Sequence, residues 1–373
     1  MVTPRANWQA EVERDGLAFH TPDGIPYWNE AACYHFTSRE IDLIEGTTAE
    51  LQRLCQEAGN FIMENDRFDD FRIPAPARAV IRQAWESEPP SIYGRFDLSY
   101  DGINPPKLLE YNANTPTSLL EASVVQWRWR LEAMPSTDQF NSIHEKLISG
   151  WADIRPRLRG DRLHFTSMRN TEDAMTTAYL RDTAEQAGIR TAGLFVEEIG
   201  WNAQTWQFRD LDENRIQSLF TLYPWEWLLK DFSTEILETY EDMLWIEPIW
   251  KMLWSNKALL AVLWEMFPGH PNLLEAHLDG PHGMAEFVKK PLLSREGANV
   301  TVHRSTGDIA THGTYGREGF VWQALAPDAV FDAKRPVLGC WVVTNRGPAG
   351  MGIRESDGLV TGNLSTFVPH YFD

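Results

Sequence analysis

Four side chains in two short stretches carry hard-oxygen and guanidinium chemistry at strand spacing. In "GRFDLSY", Arg95 and Asp97 stand two apart, and in "KLLEYN", Glu110 and Asn112 stand two apart. Alternate residues of a strand share one face. Pairing the two stretches antiparallel lets all four side chains meet, with opposed Cβ atoms about 5 Å apart. Two carboxylates and a carboxamide, without Cys or His, suit Mg2+ or Mn2+ and not zinc. An arginine beside such a cation suits a transferring phosphoryl group. The same spacing also fits a solvated sheet face with cross-strand ion pairs, so spacing alone leaves both readings open.

Further cations stand where phosphate ligands are often found. Lys257 in "SNKALL" opens an apolar helix, and Lys290 in "FVKKPLLSREG" ends an apolar strand. Each suits a phosphate ligand, but taken singly each reads first as a surface lysine. Lys289 and Lys290 point to opposite faces of the strand, so only one of them can line a site. Arg295 in "SREGANV" and Arg354 in "GMGIRES" are similar cases. "RGPAGMG" is glycine-rich but fits neither a Walker A loop nor a dinucleotide fingerprint. Cys55 and Cys340 lie in apolar patterns and read as core, whereas Cys33 is ambiguous. The histidines show no zinc spacing, which disfavours zinc or Cys–His hydrolysis. Trp127, Trp129, Trp225, Trp227, Trp250, Trp254 and Trp264 sit in apolar surroundings and read as core.

The elements that must position these groups follow from periodicity. "TTAELQRLCQEAGNFIME" has helical spacing of Leu51, Leu54, Cys55, Ala58 and Phe61, with Thr48 as its N-cap. "SIYGRFDLSY", "DGINPP" and "KLLEYN" read as strand, turn, strand. Leu119 to Glu132 reads as a Trp-rich helix. "RLHFTS", "TEDAMTTAYLRDTAEQAG" and "RTAGLFV" form a βαβ-like alternation, implying a small open α/β domain. "SNKALLAVLWEMFP" is an apolar helix stopped by Pro268, and beyond Met284 the texture is β. The expected architecture is mixed, α+β and α/β. It divides into about 1–135 (helices and the hairpin of the candidate metal site), 136–250 (the small α/β part) and 251–373 (the apolar helix and the β-textured part), interleaved.

Composition narrows the partners. Lys plus Arg is 34 against 53 Asp plus Glu, a net charge of −19, which repels nucleic acid; it fits a solvated acidic surface first, and also a cationic small-molecule partner such as a polyamine. Three cysteines argue for a reducing compartment. No apolar signal region and no stretch of about 20 apolar residues is visible, so the expected location is the cytoplasm, off the membrane.

The residues converge on a family. "GRFDLSYDG…KLLEYNANTPTS", "EPIWKMLWSNKALLAVLWEMFPGHPNLL", "FVKKPLLSREGANV" and "GIRES" stand in order, and over nearly its whole length the chain resembles the synthetase domain of glutathionylspermidine synthetases of the ATP-grasp superfamily. The resemblance implies an ATP-grasp-like fold with a pre-ATP-grasp subdomain. It implies an ATP-dependent, ADP-forming ligase joining a peptide-like acid to a polyamine-like amine through an acyl phosphate. A non-catalytic ATP-grasp protein that holds nucleotide or peptide is the competing class. The implied cofactors are ATP and one or two Mg2+ ions, with Asp97, Glu110 and Asn112 as metal ligands. Arg95 is placed at the transferring phosphate, Lys257 and Lys290 at ATP phosphates, and Gln323 of "VWQAL" near adenine. Arg295 and Arg354 attend the acid and the acyl phosphate. Thr115 and Thr117 stand beside the peptide substrate, and Glu172 and Asp173 near the peptide and amine. The glycine-rich "THGTYGREG" is expected to close as a lid. Three departures matter: no amidase domain precedes the synthetase, so product hydrolysis is not expected; Glu296 replaces a small neutral residue; and Thr115 and Thr117 replace serines.

Overall fold

The computed structural model describes residues 2–362 and 365–373. A long helix, Ser38–Glu64, begins where the chain supplies a capping box. Thr37 accepts from the Glu40 backbone N–H, and the Glu40 carboxylate accepts from the Thr37 N–H at 2.8 Å. The expectation that Thr48 caps this helix is therefore corrected. Thr48 is buried in mid-helix, its hydroxyl donating to the Ile44 carbonyl at 2.7 Å. The helix runs on through Gly46 because its apolar stripe keeps period across the glycine, from Ile41 and Ile44 to Leu51, Leu54 and Ala58.

That stripe joins the core under an antiparallel sheet of five strands. Their order is Thr366–Val368, Gly347–Ser356, Arg335–Val343, Tyr93–Ser99, Lys107–Asn112. The expected hairpin is present, with Arg95 opposite Asn112 and Asp97 opposite Glu110. The register then shifts, so that Leu98 opposes Leu108 and Leu109 is the extra residue of a bulge. Without it, Leu108 and Glu110 would share a face, since they are two apart. With it, Leu108 is fully buried in the core while Glu110 lines a cleft on the other side. Phe96 and Tyr111 stack across the hairpin with ring centroids 3.9 Å apart. Gly94 makes room for them, because a Cβ there would lie 2.6 Å from the Tyr111 hydroxyl.

A second antiparallel sheet has the order Ala276–His277, Phe320–Ala324, Phe287–Pro291, Thr301–His303, Ile309–Ala310. The apolar helix Ala258–Met266 packs on it and ends just before Pro268. The βαβ pattern forms a parallel sheet ordered Thr191–Phe195, Leu163–Ser167, Ser218–Leu222, Leu244–Ile246, with the helix Thr171–Gln186 against it. Its inner strands are buried along their length, as parallel strands covered on both faces are. The Trp-rich segment is helical but opens with one π-helical turn, Glu121–Val125, before Gln126–Ala133. Trp129, Trp225, Trp250 and Trp254 are core. Trp127, Trp227 and Trp264 are only half-buried, and the first two place their rings under Arg130 and Arg295. Cys55 and Cys340 are buried, and Cys33 is half-buried. Among the described residues no helix is long and apolar enough to cross a membrane.

A buried ion pair fastens the parallel sheet to the sheet that carries the hairpin. Lys251 Nζ lies 2.5 Å from Glu247 Oε2, and both side chains are almost wholly enclosed. Glu247 Oε1 accepts from the backbone N–H groups of Ile92 and Tyr93 at 3.0 and 3.2 Å, while Lys251 donates to the Tyr93 carbonyl. Burial depresses the Lys251 ammonium pKa, and Glu247 opposes that shift. Lys251→Met leaves the Glu247 charge uncompensated and is expected to cost about 3–5 kcal/mol in urea unfolding. A loss of about 1 kcal/mol or less would show that the pair behaves like a solvated one.

Candidate functional site

Along Tyr93–Ser99 the burial alternates. Phe96 and Leu98 enter the core, while Arg95, Asp97 and Ser99 face a cleft of about 1280 Å3 including its mouth. Glu110 joins them from the neighbouring strand. Lys257, Lys290 and Gln323 close the cleft from the second sheet and its helix, and Arg354 closes it from Gly347–Ser356. Seven of the residues singled out in the sequence therefore share one concavity.

Within it the charges interlock. Arg95 grips Asp97 with two bonds, Nε to Oδ1 at 2.6 Å and Nη2 to Oδ2 at 3.0 Å, and its Nη1 reaches the Thr117 carbonyl at 2.7 Å. Gly339, on the strand opposite, makes this possible: a Cβ there would lie 2.9 Å from Arg95 Cδ. Asn112 Nδ2 donates to Asp97 and Glu110 at 3.1 and 3.2 Å. Lys257 Nζ sits 3.0 Å from Glu110 Oε2 and donates to the Ser294 carbonyl. Lys290 donates to the Leu109 carbonyl at 3.0 Å, beside the bulge, and to Gln323 Oε1 at 2.7 Å. Gln323 in turn donates to the Leu108 carbonyl at 2.9 Å. Its amide braces Lys290 against the hairpin, a role that its place in "VWQAL" did not reveal. Lys289, on the other face, lays its ammonium over the Phe320 ring at 4.1 Å.

The electrostatics follow from burial among fixed charges. Burial drives the Glu110 carboxyl upward, but Lys257 and Lys290 outweigh it and hold the group at about 2. Burial lowers the Lys290 ammonium to about 8, with Glu110 opposing and Lys257 assisting. Burial raises the Asp97 carboxyl above its ordinary range, against the pull of Arg95. Burial works against the Arg95 charge too, but Asp97 more than restores it.

Thr115, Thr117, Glu172, Asp173 and Arg295 are not among the residues that line the cleft. Arg295 Nη2 donates to Thr115 Oγ1 at 2.6 Å, and its guanidinium lies 5.8 Å from the centre of the Trp227 ring. Thr117 meets Arg95 through its backbone carbonyl, not its hydroxyl. Glu172 and Asp173 occupy the first turn of Thr171–Gln186, where Asn170 Oδ1 caps the Asp173 N–H at 2.9 Å. Burial raises the Asp173 carboxyl to about 6, Glu172 and Glu296 add to this, and Arg295 opposes it. The departure at Glu296 therefore adds negative charge to the corner where Arg295 and Asp173 meet. Arg354 donates to the Gly362 carbonyl at 2.7 Å and stands 5.9 Å from the centre of the Tyr27 ring.

Asp97, Glu110 and Asn112 offer oxygen donors from opposed positions on one sheet face, a set that fits a hard divalent cation. Asn112 would turn its amide to present oxygen, and Asp97 would share itself with Arg95. Among the described residues no group of three or more His, Cys, Asp and Glu side chains is placed to hold a metal ion. Sequence reasoning missed Tyr27, Ser118 and Glu121, which lie together behind the Arg354 corner. The only signal was Ser118-x-x-Glu121, which reads as an ordinary helix start. In a Glu110→Gln variant the counter-charge is lost, and Lys290 is expected to titrate below its value of about 8. Lysine-selective NMR titration checks this, and an unmoved Lys290 would disconnect the two groups.

A family profile for glutathionylspermidine synthase preATP-grasp matches residues 1–373. The chain is similar to a Haemophilus influenzae protein named as an acid–amine ligase, 42% identical over 365 residues, covering 94% of this chain and 92% of that protein. It is similar to the trypanothione synthetase of Crithidia fasciculata, 26% identical over 337 residues, covering 82% of this chain and about half (51%) of that one. In structure it is similar to an apo glutathione synthetase-like effector from Globodera pallida, with TM-score 0.55 and 11% identity, covering 99% and 98% of the two chains, a likeness of fold alone. With that profile matched along its whole length and relatives named as ligase and synthetase, the chain is an enzyme of the C–N ligase class and belongs to the glutathionylspermidine synthase preATP-grasp family.

Proposed function

We propose that the chain is an ATP-grasp ligase that activates a peptide-like carboxylate with ATP and joins it to a polyamine-like amine, with glutathione and spermidine as the reference pair. One observation carries the reading: Arg95, Asp97, Glu110, Lys257 and Lys290 converge in one cleft. A lone surface ion pair would not assemble three cations and two carboxylates from two sheets and a helix. Asp97, Glu110 and Asn112 would hold Mg2+, which when bound supplies charge neutralisation to the triphosphate. Lys257 and Lys290 take the remaining phosphate charge, and Lys290, poised near 8, is held fully protonated by an incoming anion. Arg95, fixed by Asp97 and the Thr117 carbonyl, presents its guanidinium to the transferring phosphoryl group without reorganising. Arg295 and Arg354 attend the acid, with Thr115 and Thr117 beside it. Glu172 and Asp173 orient the cationic amine, which the net charge of −19 also draws in. The loop "THGTYGREG" rests near this corner, since Tyr315 is within electrostatic reach of Arg295 and Glu226. Its closure would exclude water from the acyl phosphate.

ADP release in the presence of Mg2+, ATP, glutathione and spermidine tests the reading, followed by a panel of other acids and amines. Asp97→Asn is expected to lower ADP release by about 10²–10³-fold and, because Arg95 loses its counter-charge, to lower the melting temperature as well, with circular dichroism showing the fold retained at the assay temperature. Undiminished turnover in that variant removes the metal assignment. ATP binding without turnover on any pair favours a non-catalytic holder of nucleotide.

A further inference from the structure

One buried carboxyl lies outside the ligation chemistry described above. Glu121 begins the π-helical turn and is 2% exposed. Such turns are rare and frequently mark functional sites. Tyr27, buried to the same degree, donates its phenol proton to Glu121 Oε1 at 2.8 Å. The Tyr27 oxygen lies 3.0 Å from the Ser118 hydroxyl, and Ser118 belongs to the wall of the cleft. Ser118 is held at φ 63°, a left-handed conformation that is costly for a residue bearing a Cβ. An unbroken line of hydrogen-bonding groups therefore runs from the cleft to an enclosed carboxyl. A neutral amide would anchor the Tyr27 phenol as well, without the cost of burying an acid.

We propose that Ser118, Tyr27 and Glu121 form a proton relay that removes a proton from the ammonium group of the amine substrate. The inference rests on the ligase reading. Amide formation from an acyl phosphate makes one C–N bond and breaks one C–O bond. Of the three protons on the ammonium nitrogen, one stays in the amide and one leaves on the phosphate. The third passes to Ser118 Oγ, whose own proton moves to the Tyr27 oxygen, whose proton in turn moves to Glu121. The reverse hops return it to water once the products leave. The groups facing Glu121 suit this task. Burial pushes its carboxyl up to about 7, Glu172 adds to the shift, and Tyr27 and Arg354 oppose it. Burial raises the Tyr27 phenol well above its ordinary value, so it remains a donor. An acceptor that titrates near neutrality can both take and return a proton.

Two variants of the full chain test the relay, Glu121→Gln and Tyr27→Phe, each preserving shape. ADP release is followed with ATP, Mg2+ and glutathione, using either spermidine or hydroxylamine as nucleophile. Hydroxylamine is mainly neutral at pH 7 and has no ammonium proton to lose. Both variants are expected to slow the spermidine reaction by about tenfold or more and to leave the hydroxylamine reaction unchanged. The wild-type rate with spermidine is expected to rise with pH through about 7 as Glu121 becomes an acceptor, and Glu121→Gln to lose that limb. Equal slowing with both nucleophiles, or an unaltered pH profile, would make the trio structural and overturn the relay while leaving the ligase reading intact. No ADP release by the wild type with either nucleophile would sink the ligase reading, and the relay's task with it.

Discussion

Enclosing ions in a protein is costly unless each finds a counter-charge with good geometry. On the cleft face of the five-stranded sheet this requirement links everything else. Arg95 is held by Asp97, Asp97 and Glu110 by Asn112, and Glu110 by Lys257, with Lys290 near enough to sense the same carboxylate. The members come from two strands, an apolar helix and a second sheet. Changing one charge alters the protonation of the others: Lys290 helps Lys257 hold the Glu110 carboxyl down, and Glu110 holds the Lys290 ammonium up against burial. An arriving triphosphate would meet cations already in place, with little reorganisation required.

Holding that network demands an unyielding frame. The frame comes from aromatic packing below the hairpin, where Phe96 stacks on Tyr111, and from glycines at closest approach. Gly94 admits the Tyr111 ring and Gly339 the Arg95 side chain. The Glu247–Lys251 pair then locks the start of the Arg95 strand to the neighbouring parallel sheet. These residues touch no substrate in the proposed reaction. They decide whether groups that do are placed within a fraction of an ångström.

Two chemistries divide the cleft. Its lysine-rich end suits phosphate. Arg354 stands on its wall away from the lysines, and outside the lining Arg295, Glu172 and Glu296 gather around Asp173, a corner with charges of both signs that suits an acid and an amine. The carboxyls of Asp173 and Glu121, both raised by burial, are the ones placed near those arginines. A proton acceptor is needed where the amine attacks, which suits a ligase.

The sequence by itself determined the local facts. Two-residue spacing put Arg95 with Asp97 and Glu110 with Asn112, and turn residues between the strands made a hairpin of them, because strand alternation is a property of the backbone alone. The helices at Thr171–Gln186 and Ala258–Met266 and the strands around them were legible for the same reason. The start of Ser38–Glu64 was hidden behind Gly46, although Thr37 and Glu40 spelled out the cap. Only the tertiary structure decided the rest. The bulge at Leu109, which sends Leu108 to the core and Glu110 to the cleft, arises from pairing between strands. The bracing of Lys290 by Gln323 joins different sheets. The line from Ser118 through Tyr27 to Glu121 joins residues up to 94 positions apart. Contacts of that separation leave no periodic trace in the chain, since what brings them together is burial of the whole core and not the conformational preference of any one segment.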